Sequence, residues 1–128
     1  VEDVLRQNAN THIRVFAVWE PILPTDFSNP STPVLSRLSD ARVAQYWDKN
    51  HLFAEQLRHK IEADESQPQP KCCVREGTQW DEVAVYPQGV RWEGQLSRAV
   101  FLNGPVVRSL DFSKTVEDLL SNQTHGQL

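Results

Sequence analysis

His12-Ile13-Arg14-Val15-Phe16-Ala17-Val18-Trp19-Glu20 is a β-branched and aromatic run that stops at Pro21 and Pro24. It is far shorter than the roughly 20 apolar residues of a membrane-spanning helix, and its composition suits a buried central strand. Upstream, Glu2 and Asp3 favour a helix N-terminus, and Val1, Val4 and Leu5 share a face, which predicts a short helix over 2–9 ending near Asn10. Downstream, Pro21, Pro24, Ser28, Asn29, Pro30 and Ser31 make a turn-rich connection, because each proline removes a ladder donor.

Thr32-Pro33 then starts a helix with Val34, Leu35 and Leu38 on its apolar side, ended by Asp40. Residues 42–47, Arg-Val-Ala-Gln-Tyr-Trp, predict a second strand. Asp48 or Asn50 caps the next helix, where Phe53, Ala54, Leu57 and Ile61 recur at helical spacing opposite His51, Glu55, Arg58, His59 and Glu62. Residues 64–71 are polar and proline-broken and read as a surface linker. Residues 83–86 form a strand and Pro87-Gln88-Gly89 a turn, with a partner strand from 90–92 unless the apolar run 99–102 replaces it. Asn103-Gly104-Pro105 breaks that run, Ser113 caps a final helix carrying Val116, Leu119 and Leu120, and the tail 123–128 is frayed. Helices alternating with strands predict an α/β fold with parallel β-α-β units, a C-terminal antiparallel hairpin and a last helix.

The chain of 128 residues suits a single domain spanning 1–128. Thirteen basic residues against seventeen acidic ones, a net charge of -4, provide no polyanion-binding excess, so nucleic acid is not an expected partner. No apolar stretch has membrane-spanning length, and the expected setting is the cytoplasm. The only two cysteines, Cys72 and Cys73, are adjacent, which excludes a conventional internal disulfide.

The element order, with 14–19 as a core strand, Val43-Ala44-Gln45-Tyr46-Trp47-Asp48 leading into a helix, and the stretch from Val83 to Trp92, resembles the thioredoxin-like superfamily, in particular its peroxiredoxin and thiol-disulfide oxidoreductase branch. The chain is also similar to bacterial proteins encoded on integron gene cassettes from environmental DNA. The resemblance implies a three-layer sandwich around a mixed sheet. It also implies a first strand and a Cys-x-x-Cys or peroxidatic cysteine ahead of the first helix, and a proline just before the strand at Val83. This sequence begins at Val1 with that helix and carries none of these. A processed leader, a truncated start and an unusual start codon all fit the first residue. On this resemblance the first strand and its active site either lie outside the chain or have been lost. A missing central strand leaves rows of unpaired backbone groups, and pairing with a second protomer closes the gap, so a homodimer is expected.

Five groups of residues offer chemistry. Every tryptophan precedes an acid, Trp19-Glu20, Trp47-Asp48, Trp80-Asp81 and Trp92-Glu93, an arrangement with a chance of roughly 3 in 10,000 at this acid content. Two of these pairs end the predicted strands. Carboxyl ends of parallel strands line ligand crevices, so Trp19, Glu20, Trp47 and Asp48 are the candidate ligand-binding residues, against the plainer roles of core filling and helix capping. Cys72 and Cys73, with Lys71 and Arg75 nearby, suit a thiol-dependent oxidoreductase or a soft-metal site as the alternative. A bond between neighbours would close a tight ring that is easily reduced. His51, Glu55 and His59 lie one helical turn apart, but Arg58 and Lys60 beside them disfavour a cation, and no metal is expected. Glu20 and Asp26 are a remote candidate for acid-base hydrolysis, and Asn122-Gln123-Thr124 matches a glycosylation acceptor that needs a secretory leader. The expected protein is non-catalytic and cofactor-free, acting by self-association or by binding a small molecule.

Overall fold

A computed structural model of the chain describes residues 1–109 and 111–125, the last two without their side chains. It is of mixed α/β character and divides into two compact units, Val1–Phe53 and Ala54–Leu128. Among the described residues the strands form three two-stranded sheets. No helix among them is long and apolar enough to cross a membrane.

The first unit is a β-α-β crossover preceded by helix α1 (Glu2–Gln7). Strands β1 (Val15–Trp19) and β2 (Val43–Trp47) pair in parallel, with Val15 opposite Val43 and Trp19 opposite Trp47. The pairing extends past the strand ends, where Val15 N–H donates to Arg42 O and Asp48 N–H to Trp19 O. The connection contains helix α2 (Thr32–Leu35), which has Ser31 in the N-cap position without a side-chain capping bond and places Pro33 in its first turn. The helix starts at Thr32 as expected, with Ser31 rather than Thr32 in the N-cap position, and it closes at Ser36 well before Asp40. Asp40 is instead committed to Arg42. Arg42 donates Nε and Nη2 to the Asp40 carboxylate, Nη1 to Asn8 O and Thr11 O, and Nη2 to Leu5 O. One guanidinium thus adds a donor to carbonyls at and just beyond the end of α1 and ties that helix to the start of β2. Leu5, only 1% exposed, anchors α1 to the unit.

Helix α3 (Leu52–Ala63) begins where Asp48 caps it, its carboxylate accepting from Leu52 N–H at 2.9 Å and Phe53 N–H at 2.7 Å. Ala54 and Leu57 are buried, as their helical spacing predicts.

In the second unit the stretch 64–69 is tied down on both sides. The Asp64 carboxylate accepts from Ser66, Lys60 and Arg98, and these contacts hold it far below the usual carboxylate range. Gln67 is buried and accepts from Ala99 N–H at 3.0 Å. A polar, proline-rich composition therefore hides a specific backbone-satisfying contact. Strands β3 (Val74–Arg75) and β4 (Thr78–Gln79) form a hairpin turned by Glu76 and Gly77, both at positive φ, 50° and 81°. Strand β5 (Val83–Val85) pairs antiparallel with β6 (Phe101–Asn103), so the run around 99–102 replaces 90–92 as the second arm. Gly89 has the positive φ expected of the turn. The Gly104–Pro105 bond is cis. A 3-10 turn (Val106–Arg108) leads to helix α4 (Asp111–His125), which packs on β5. Ser113 lies inside α4 rather than capping it, and the helix carries through 123–125, residues expected to fray; 126–128 lie outside the described residues. Leu57, Leu96, Ala99, Leu102 and Phe112 form the apolar interior of this unit.

Candidate ligand site at the strand ends

Parallel pairing sets Trp19 beside Trp47 at the carboxyl end of β1 and β2, with Glu20 and Asp48 the next residue on each strand. Alternation along a strand directs Trp19, Gln45 and Trp47 to one face. Trp19 Nε1–H donates to Gln45 Oε1 at 2.9 Å, and the Gln45 amide donates in turn to Leu35 O at 2.8 Å and Leu38 O at 3.3 Å. The Trp19 indole is therefore tied through Gln45 to the α2 segment. The opposite face exposes Phe16 and Tyr46, 55% and 53% accessible, with ring centroids 6.3 Å apart.

The two carboxylates diverge in role. Asp48 caps α3, the plain structural task its position allows. Glu20 bonds His51, Oε2 to Nδ1 at 2.9 Å, with 13% of the Glu20 side chain and 34% of the His51 side chain exposed. Burial raises the Glu20 pKa above its ordinary value; the His51 bond opposes this and the nearby Asp48 charge adds to it. His51 has φ 57°, a left-handed conformation that a side chain other than glycine rarely adopts. Such residues concentrate where the surrounding structure dictates a geometry, often at functional sites. Here the cap fixes it: Asp48 holds the N–H groups of Leu52 and Phe53, His51 N–H donates to Asp48 O at 3.3 Å, and the ring turns back to Glu20.

His51 was singled out in the sequence as part of a stripe with Glu55 and His59, but it precedes the first turn of α3 and pairs with a residue 31 positions away. Glu55 and His59 do approach each other, at 3.7 Å, on the exposed side of α3. Among the described residues no group of three or more His, Cys, Asp or Glu is arranged to hold a metal. Asp26 accepts from Ile22 N–H at 2.9 Å and Leu23 N–H at 2.8 Å, which lowers its pKa and occupies it in its own turn. A hollow of about 550 Å³ lies by the opposite, amino ends of the strands between Glu2, Leu5, Asp40 and Arg42. Arg42 already directs its donors to carbonyls and to Asp40 there, so the hollow offers less free chemistry than the Glu20–His51 end.

In the second unit Cys72 and Cys73 are bonded to each other. Trp80 and Trp92 are partly exposed, and Trp92 makes an edge contact with Tyr86 at 5.5 Å. The four tryptophan-acid pairs therefore fall into different settings rather than one shared arrangement. No protein-family model, curated protein or solved structure matches this chain.

Proposed function

We propose that the chain is a non-catalytic α/β domain of thioredoxin-like three-layer architecture, lacking that family's first strand and redox motif, which self-associates and holds a small polar ligand at the carboxyl ends of β1 and β2. The observation that carries this reading is the half-buried Glu20–His51 pair. A carboxylate desolvated at a strand end, held to an imidazole on a left-handed residue, is costly for folding alone and suits recognition. Glu20 orients the ring through Nδ1 and leaves Nε2 to meet a hydrogen-bonding group of the ligand. The site needs no cofactor, and a cytoplasmic setting belongs to the same proposal.

Thermal-shift measurements against small amines, hydroxy acids and nucleosides test the reading, with Glu20→Gln and His51→Ala run beside the parent chain. The expected result is at least one compound that raises the Tm of the parent and has lost that effect in both variants. Compounds that act equally on all three proteins, or on none, overturn it.

A further inference from the structure

Cys72 and Cys73 sit where two chain segments are clamped together. Cys73 C=O accepts from Trp80 N–H at 2.9 Å, closing the β3–β4 hairpin directly after the cysteines. Lys71 N–H donates to Asn103 Oδ1 at 3.1 Å, and Val106 N–H donates to Asp81 O at 3.1 Å. The segment that carries the sulfurs is thereby held against the end of β6. Gly104 is the point of closest approach. A Cβ at Gly104 would lie 2.9 Å from Cys73 Sγ, 3.2 Å from Cys72 Sγ and 2.5 Å from Asp81 O. Only a glycine leaves room for both sulfurs and the carbonyl. Three residues other than glycine take left-handed backbone within this stretch, Cys73 at φ 75°, Glu76 at 50° and Asp81 at 52°. Both cysteines are half-buried rather than enclosed. The metal alternative is the weaker one, since no third donor group joins the sulfurs among the described residues.

We propose that Cys72–Cys73 is a thiol-exchange site for low-molecular-weight thiols, with Gly104 as its positioning residue, independent of the ligand site on the first unit. The thiolate of a small thiol attacks one Sγ. A sulfur-sulfur bond forms to it as the Cys72–Cys73 bond breaks, and the other Sγ leaves as a thiolate and takes a proton from water. A second thiolate attacks the small-thiol sulfur of this mixed disulfide, releasing the first Sγ, which is also protonated. Two small thiols are thereby oxidised to one small disulfide, and the protein disulfide, taking up two electrons and two protons, becomes a dithiol.

The test is alkylation of the native 128-residue chain followed by intact-mass measurement, before and after treatment with dithiothreitol or reduced glutathione. The expected result is no label without thiol and two labels after it, with the far-ultraviolet circular dichroism unchanged. Two labels without thiol, or label only after denaturant is added, overturns the proposal. Gly104→Ala drives the sulfurs off their seat and is expected to speed exchange with glutathione about tenfold. Leu102→Ala, which empties a buried core position on β6, serves as the control for lost stability. A Gly104→Ala rate equal to that of Leu102→Ala overturns the positioning role.

Discussion

Glu20 is an acid that the fold makes harder to ionise. Burial raises its pKa in the folded state, so the native protein binds more protons than the unfolded chain between pH 4.5 and the raised value. The sign follows: stability is fully present below pH 4.5 and falls as pH rises through the folded pKa. Glu20→Gln carries no charge at any pH and escapes that fall. Its Tm relative to the parent is expected to climb by about 1–3 °C between pH 4 and pH 7, read by thermal melts across that range. A difference that is flat or that shrinks would show that the His51 bond outweighs burial. Asp40 behaves oppositely. Its bonds to Arg42 hold it down to about 2, so what it contributes is present above pH 3.8 and is lost as pH falls through about 2. Asp40 is held by Arg42 only two residues on, whereas the Glu20 environment was not legible from its neighbours in sequence. The Trp-acid pairs drew attention to Glu20, but its partner lies 31 residues away beyond a helical crossover, and no local spacing signals it.

Helices with strong apolar periodicity were the most legible elements. Leu57 and Ala54 on α3 are buried as their spacing requires, and α1 and the two parallel strands lie within a few residues of their expected ends. The shifts have physical causes. Ser31 takes the α2 cap ahead of Thr32, and Asp111 begins α4 ahead of Ser113. The β3–β4 hairpin left little trace in the sequence because its arms are only two residues each and Glu76, at positive φ, is not a residue type that marks such a turn. The segment around Gln67 was misleading in composition, since a buried amide bonding the Ala99 backbone leaves no periodic trace. Gln67→Ala strands the Ala99 N–H and is expected to cost about 1–3 kcal/mol in chemical denaturation. Leu5→Ala, emptying the most buried side chain of the first unit, is expected to cost about 2–4 kcal/mol. Loss of less than half of either value would show that the surrounding segment rearranges around the change.

A two-stranded parallel pair is an unusual end state for a chain. β1 and β2 each have one edge without a strand partner among the described residues, and one face of the pair exposes Phe16 and Tyr46. Unpaired edges and exposed aromatics both invite association. Light scattering with and without reductant is expected to give twice the mass of one chain in both conditions, reduced towards a single chain by Phe16→Lys. A monomer in both conditions removes self-association from the proposed function, and a dimer that reductant dissolves places Cys72 or Cys73 in an intermolecular bond instead of a vicinal one.

The sequence by itself determined the mixed α/β character, the parallel crossover from β1 to β2, a cap for α3 at Asp48 or Asn50 and the adjacency of the only two cysteines. Each of these follows from local period, turn chemistry or covalent neighbourhood, all of which act within a few residues. Only the tertiary structure decided that Glu20 meets His51, that Arg42 closes α1, that Gln67 is interior and that Gly104 seats the Cys72–Cys73 sulfurs. These contacts join positions 31 or more residues apart, and they form because buried donors, acceptors and sulfur atoms must find partners and space once the chain has collapsed.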